Sequence, residues 1–397
     1  MRISTSQMYT NSVTTMLNQQ SKLAATQEQL STGKRILSPS EDPVGAVRSL
    51  ELSRAQDQTT QYLRNTDLLD GRLRLEESLV EGSISVIQRV RELTIQANND
   101  TQSNESRLSI AAEMRHQLDS LLSYANTKDS SGHFIFAGYQ ESSAPFSKTA
   151  NGYIYNGDDG QRELQIGPSR RMADGDPGSD VYMGIFNGNG QFIASAATAN
   201  AGTGVIGAGS VADVPAFNRD NITIRFSSDT QYDLVDDSGA IIDSGDYLDG
   251  GDIRVAGMSV NIEGQPAAGD EFTLGPSRRQ DLFSMVESLT VSLETERNNP
   301  AERATQHNQI NTALSGLDQA LDHLIQKQSN IGARMVSLQF QVDINEGAAL
   351  QIAESLGVIN ELDYAEAISR FSQQQTALQV AQQAFAKTQG LSLFNYL

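Results

Sequence analysis

From Ile310 to Ile359, apolar positions recur in alternating steps of four and three residues. That run constrains the chain more than any other feature. Ile310, Leu314, Leu317, Leu321, Leu324, Gln328, Ile331, Met335, Leu338 and Val342 keep the spacing, and Asn345, Ala349, Ile352, Leu356 and Ile359 continue it. A 3.5-residue period belongs to a helix whose narrow apolar seam is covered by another helix. At 1.5 Å per residue the seam is roughly 75 Å long. A rod of that length needs partner helices along it, so the rest of the chain must supply them.

Candidates lie on both sides. Leu73, Val80, Ile87 and Thr94 recur every seven residues. After the turn NNDTQSN (98–104), Ala111, Met114, Leu118, Leu121 and Ala125 form another seam. Leu282, Val286, Leu289 and Leu293 open the return helices, which ERNNPAE (296–302) interrupts. At the extremes the stripes are narrower: Met16, Leu23 and Leu30 near the start, and Tyr364, Ile368, Phe371, Leu378 and Phe385 near the end, the latter out of register with the 310–359 run. Such a slip marks a stutter or a hinge. The two end segments are rich in Gln, Ser and Thr, and an isolated helix of that kind is marginal in water. They are therefore expected to be weakly ordered alone and to need a partner surface.

The middle of the chain differs in kind. Residues 141–279 hold 21 of the 32 glycines and six of the nine prolines. Ile222, Ile224 and Phe226 alternate, Tyr232 and Leu234 follow, and an Asp-Asp-Ser-Gly turn comes next. GYIYNGDDGQRELQIG (152–167) reads as a hairpin about GDDG. ELQIGPSRR (163–171) is echoed by EFTLGPSRR (271–279), each a strand end, a proline-fixed turn and a solvated basic pair. The predicted fold is therefore α+β: a discontinuous long-helix coiled-coil bundle built from both ends, with a central β-rich insert.

Composition and motifs exclude several functions. With 49 acidic and 29 basic side chains the net charge is −20, which argues against nucleic acid or an anionic membrane as partner. There is no cysteine, hence no disulfide or thiolate metal site. The first residues show no apolar leader, and no stretch approaches a membrane span. His116, His133, His307 and His323 are scattered, without zinc spacing. GTGVIG (202–207) lacks the strand before it and the helix after it that a dinucleotide loop needs. DGDPGSD (174–180) has its glycine one place early for a calcium loop and Ile185 where the bidentate glutamate belongs. No catalytic, cofactor or metal residue is predicted, and the reading is a non-enzymatic interaction protein. An enzyme or glycan-binding module in the insert is opposed by the lack of aromatics beside clustered carboxylates. A membrane translocator is opposed by the missing apolar segments.

Several stretches resemble the flagellin family and its hook-associated branch. QLSTGKRILSPSEDPVGAV (29–47) is similar to the segment joining the terminal helix to the next long helix. IQRVRELTIQANND (87–100) resembles the long axial helix, and GHFIFAGYQ (132–140) the exit from the helical domain. GDDGQRELQIGPSR and GQPAAGDEFTLGPS resemble the β-domain edges of the hook-associated relatives. LDYAEAISRFSQQQTALQVAQQAFAKTQGLSLFNYL at the end, with MRISTSQMY at the start, leans to that branch rather than to the filament protein.

The resemblance implies a structural subunit of the bacterial flagellum joining hook to filament, with a filament subunit as the alternative. It implies an assembly helix at 1–43, bundle segments at 44–140 and 280–343, an outer β domain at 141–279, and a second assembly helix at 344–397. In that architecture Gly33, Pro39 and Pro43 end the first helix, Ser40 caps the next, and Pro43 sits in its first turn. The terminal helices then form coiled coils along an inner tube, with Met16, Leu23, Leu30, Tyr364, Ile368, Phe371, Leu378 and Phe385 as the contact set. Arg89, Leu93 and Glu113 match a flagellin surface used in subunit contact and read by an innate receptor, and assembly is their expected role here. The implied partners are further copies of the chain, the hook-side junction neighbour, flagellin and an export chaperone, with no nucleic acid, membrane or cofactor. The implied location is extracellular, in the flagellum, after type III export.

Overall fold

The computed structural model describes residues 5–99, 101–150 and 152–390. Three helices come first: α1 (Thr5–Thr32), α2 (Pro43–Ala97) and α3 (Asn104–Ala125). Then follow strands β1 (Phe146–Thr149), β2 (Gly152–Tyr155), β3 (Glu163–Gln165) and β4 (Arg171–Ala173), the short helix α4 (Gly178–Tyr182), β5 (Ile185–Phe186) and β6 (Phe192–Ala196). The insert continues through β7 (Val205–Ile206), β8 (Ser210–Val211), β9 (Ile222–Phe226), β10 (Gln231–Asp236), β11 (Ile241–Asp246), β12 (Asp252–Val255), β13 (Met258–Glu263), β14 (Glu271–Pro276) and β15 (Arg279–Gln280). Helices α5 (Leu282–Glu294), α6 (Pro300–Asn360) and α7 (Tyr364–Gly390) close the chain. The molecule is α+β, with long helices from both ends and antiparallel sheets between them.

Two compact units divide it: Met1–Asn65 with Phe340–Leu397, and Thr66–Gln339. The boundaries fall inside α2 and α6, whereas residues 43/44 and 343/344 were expected. The reason is local. Pro43 starts a helix that runs unbroken to Ala97, so the proline-rich linker ends α1 without ending a unit.

In the 66–339 unit the seams predicted from heptads are the core. Leu73, Val80 and Ile87 have no exposed surface, and neither have Ala111, Met114 and Leu121. On α6, Ile310, Leu317, Leu324, Ile331 and Leu338 are buried at every seventh position, with Leu314, Leu321 and Met335 packed beside them. Burying each such side chain is worth about 1.5–3 kcal/mol. Helix starts are set by side chains. Ser103 accepts the Ser106 N–H at 3.2 Å, and Asp281 accepts the Ser284 N–H at 2.6 Å. At the 296–302 break, Asn299 accepts the Glu302 N–H at 2.8 Å while the Glu302 carboxylate accepts the Asn298 N–H at 2.8 Å. These reciprocal bonds restart the helix at Pro300.

The insert is not one domain. Residues up to Ile185 belong to the bundle's own core: Ile135, Phe136, Phe146, Tyr153, Ile166, Tyr182 and Ile185 are buried with Leu282 and Phe283. The Phe146 ring lies 4.9 Å from that of Phe283 and 5.6 Å from that of Tyr182. A separate core begins at Phe192 and ends at Leu274. It lies in a five-stranded antiparallel sheet of order β11-β10-β9-β14-β6 and a smaller sheet of order β12-β13-β7, with β8 also on β13. The expected 141–279 domain therefore divides near residue 187, because the aromatic residues before that point have the helices, not the sheets, as apolar neighbours.

The hairpin predicted across 152–167 is also corrected. β2 pairs with β1, and β3 with β4, because Asp158 folds the intervening loop back by accepting the N–H groups of Tyr139 and Gly160, each at 2.9 Å. The alternation in 222–236 does form β9 and β10, and Asp236 closes the next turn by accepting the N–H of Ser238 and of Ala240 at 2.9 Å.

The acidic turn 174–180 is an electrostatic lock. Arg72 lies 3.0 Å from Asp129, 3.3 Å from Glu141 and 3.4 Å from Asp174. Arg162 holds Asp174 at 2.5 Å and Glu141 at 3.1 Å, and Arg334 holds Asp176 at 2.6 Å. Lys327 pairs with Asp180. Beneath the turn sits Glu76, fully buried, accepting the Asp176 N–H at 2.9 Å. Burial first, then the neighbouring Asp176 carboxylate, pushes the Glu76 carboxyl well above the ordinary carboxylate range.

Candidate assembly surface

Sequence dictates where α1 stops, where α7 starts and how they meet. Gly33 adopts φ +68°, the left-handed conformation that ends a helix at low cost. Its N–H returns to the Gln29 carbonyl at 2.9 Å. The chain then pairs with the break between α6 and α7. Arg35 N–H donates to the Asn360 carbonyl at 2.7 Å, Leu362 N–H donates to the Gly33 carbonyl at 3.0 Å, and Arg35 Nε reaches the Ile359 carbonyl at 2.8 Å. Asp363 starts α7 by accepting the N–H of Ala365 and of Glu366.

Asp42, not Ser40, caps α2. It accepts the Gly45 N–H at 2.9 Å, and that bond leads the effects holding its carboxyl below the usual range. The Ser40 hydroxyl bonds Ser38 instead. A capping side chain must sit directly before the first helical residue, and Pro43 fixes that residue.

From this clasp α1 and α7 run antiparallel. Tyr9 at the far end of α1 lies 5.2 Å, ring to ring, from Phe385. Met16, Leu23 and Leu30 are half-buried, and so are Phe371, Leu378 and Phe385. The seam on α7 is completed by Ala367, which has no exposed surface. Tyr364 and Ile368 are 53% and 58% exposed, although the Tyr364 hydroxyl still lies against Gly33 at the clasp. The eight residues thus fall into two groups: six are half-buried along the α1–α7 seam, and two are largely exposed.

Two helices cover only one stripe of each other. Met8, Leu17 and Val380 remain exposed on α1 and α7. In the same unit, α2 exposes Val44, Val47 and Leu50, and α6 exposes Phe340, Leu350 and Val358.

The second predicted set behaves differently. Arg89 Nη2 lies 2.8 Å from Glu113, and Nη1 lies 3.0 Å from Glu92, an exposed cluster joining α2 to α3. Leu93 is 1% exposed and belongs to the bundle core. It is corrected from surface to core, because its position in the seven-residue seam beside Val90 and Thr94 turns it inward. Among the described residues no group of three or more His, Cys, Asp or Glu is placed to hold a metal ion, and no helix is long and apolar enough to cross a membrane.

Comparison with known proteins matches both ends of the chain. The bacterial flagellin N-terminal helical region fits residues 3–141, and the bacterial flagellin C-terminal helical region fits residues 314–397. The crystal structure of flagellar hook associated protein-3 from Legionella pneumophila is 32% identical, covering 78% of this chain and 98% of that one, with a TM-score of 0.74. The chain belongs to the flagellin family. Within the family it is similar to FlgL of Xanthomonas campestris, at 30% identity over 77% of this chain and 99% of that one, with a TM-score of 0.74. It is also 26% identical over 395 residues to flagellar hook-associated protein 3 of Escherichia coli, covering 99% of both chains. The N-terminal family match ends at residue 141, just after the 132–140 segment that buries Phe134, Ile135, Phe136 and Ala137.

Proposed function

We propose that this flagellin-family chain is a non-enzymatic structural subunit of the flagellum, placed where hook meets filament, and that its first and last helices are its assembly elements. One observation carries the reading: the 66–339 unit buries its seams, whereas the α1–α7 pair leaves apolar residues exposed beyond its single shared stripe. An unsatisfied helix face is covered by another helix. Copies of the chain, a hook-side neighbour and flagellin supply such helices, in heterologous contacts that propagate around and along a tube. Likeness to proteins named hook-associated protein 3 supports the junction over the filament. Tyr364 and Ile368, each more than half exposed, are the residues assigned to contact between subunits, with Arg89 and Glu113 as a second contact. Export unfolded through the flagellar secretion channel, with a chaperone holding the exposed terminal stripes, follows from the same reading and places the working subunit outside the cell.

The test is a strain lacking this gene. Electron microscopy is expected to show hooks without filaments, with flagellin in the medium. Intact hooks with filaments of normal length would overturn the assignment, and absence of filament without secreted flagellin would favour a filament subunit.

A further inference from the structure

A cleft of about 510 Å³ opens between β6 and the helices α5 and α6. Because β6 is the last strand of its sheet, nothing in the sheet covers that side. The cleft is lined by hydroxyl and amide side chains and carries no aromatic ring. Much of this polarity is committed within the fold. Asn308 holds the Ile206 N–H at 2.8 Å and the Gly204 carbonyl at 2.9 Å, and Ser292 donates to Gln309 at 2.5 Å.

Among the described residues four hydroxyls in the cleft make no hydrogen bond within the protein: Ser195 and Thr198 on and after β6, and Ser284 and Ser288 one helical turn apart on α5. Arg297 is the cleft's cation. Its Nε is buried without a hydrogen-bond partner. Glu302, the nearby carboxylate on which its charge acts, is committed to the Asn298 N–H. Asp281 is at the opposite end of α5, roughly 20 Å away along the helix, and caps it. Between the two ends Met285 and Leu289 give an apolar floor.

We propose that this cleft binds a sugar acid, a ring carrying several hydroxyls and one carboxylate. The two Nη groups of the guanidinium, whose Nε is already covered by the fold, take the carboxylate end-on through two parallel hydrogen bonds. The four hydroxyls exchange bonds with the ring hydroxyls, and the apolar floor meets its C–H face. The volume suits one or two sugar rings. A single cation is too little for a di- or triphosphate, and with no aromatic ring in the lining the ligand's apolar face is met by Met285 and Leu289. The inference is independent of the assembly role, since every residue of the cleft lies in the 66–339 unit.

The experiment is isothermal titration calorimetry on the full chain with D-glucuronate, D-glucose and glutarate. Glucuronate is expected to bind at least about tenfold more tightly than either of the others, because only it offers both the charge and the hydroxyls. Arg297→Gln is expected to lose about tenfold or more in glucuronate affinity while Arg297→Lys retains part of it, with the thermal midpoints of both variants unchanged. Equal binding of glucose, unchanged binding by Arg297→Gln, or no saturable heat with glucuronate up to about 10 mM would overturn the proposal. A hyaluronan tetrasaccharide ending in glucuronate separates two sources of the ligand. Tighter binding of the tetrasaccharide identifies the end of an acidic glycan, and binding of the monosaccharide alone identifies a free sugar acid.

Discussion

The backbone N–H of Leu362 donates to the carbonyl of Gly33 across 3.0 Å, and this bond joins the two helix breaks that make the terminal pair possible. With the Arg35 N–H on the Asn360 carbonyl at 2.7 Å, it fixes where α1 and α7 leave the longer helices and sets the register of their seam. Substitution at Gly33 tests the clasp directly. A Cβ there would lie 2.9 Å from the Tyr364 hydroxyl, on a backbone at φ +68°. Gly33→Ala is expected to cost about 1–2 kcal/mol locally. Hydrogen exchange should rise in residues 7–32 and 364–387, with the melting of the 66–339 unit unchanged. Equal protection in both proteins would show that the clasp does not hold the pair.

Leu93 and Arg89 separate core from surface. Leu93→Ala is expected to destabilise the bundle by about 2–5 kcal/mol. Arg89→Ala, which removes an exposed pair, is expected to leave stability nearly unchanged. Urea denaturation followed by circular dichroism reads both. A small effect of Leu93→Ala would restore that residue to the surface set.

Sequence alone located every long seam, because a seven-residue repeat is a property of side chains near one another along the helix. Leu73, Val80 and Ile87, or Ile310, Leu317 and Leu324, needed no knowledge of their partners. What it could not locate depends on contacts between distant segments. Asp42 competes with Ser40 for the α2 cap, and only the position of Pro43 decides it. Phe146, Tyr153 and Tyr182 fall inside the β domain expected at 141–279, and only their packing with Phe283, far along the chain, assigns them to the bundle's core. Of the candidate contact residues, the stripe on α7 was visible, but its split into a covered group and the exposed Tyr364 and Ile368 requires the register against α1. Glu76 carried no signal at all, since a glutamate in a long helix is ordinarily solvated.

That glutamate gives a pH dependence of definite sign. Burial first, then Asp176, raise its carboxyl to about 8 in the fold, against an ordinary value of 4.5. The folded form therefore holds the proton more tightly than the unfolded form between those values. The stability contributed by that proton is fully present below about pH 4.5 and is lost as pH rises through about 8. Glu76→Gln keeps a neutral side chain at every pH. The stability of Glu76→Gln relative to the parent, from urea midpoints, is expected to climb between pH 5 and 8 and then level off. A flat difference across that range would show that Arg72 and Arg334 keep Glu76 ionised.

Arg72 joins Asp129, Glu141 and Asp174 at a half-buried site. Arg72→Met is expected to cost about 3–5 kcal/mol, because it leaves buried carboxylates short of a cation. A loss below about 1 kcal/mol would mean that Arg162 and solvent suffice.

The terminal helices carry the sharpest consequence of the structure. Deleting residues 1–30 removes α1 and uncovers the α7 seam, and deleting 365–397 does the converse. Neither deletion touches the buried positions of the 66–339 unit, so each truncated chain is expected to keep the melting transition of that unit while failing to enter the flagellum. Replacing Ile368 by Asp is the finer test. Ile368 is 58% exposed and off the internal seam, so the α1–α7 pair should keep its hydrogen-exchange protection. The charge would fall on a face that, under the assembly reading, another subunit covers, and an unpaired charge at such a face disfavours association strongly. The expected outcome is a folded, secreted protein that does not restore motility to a deletion strain. Normal motility from this variant would show that this face stays in water in the assembled structure, and would move the contact between subunits elsewhere on α1 and α7.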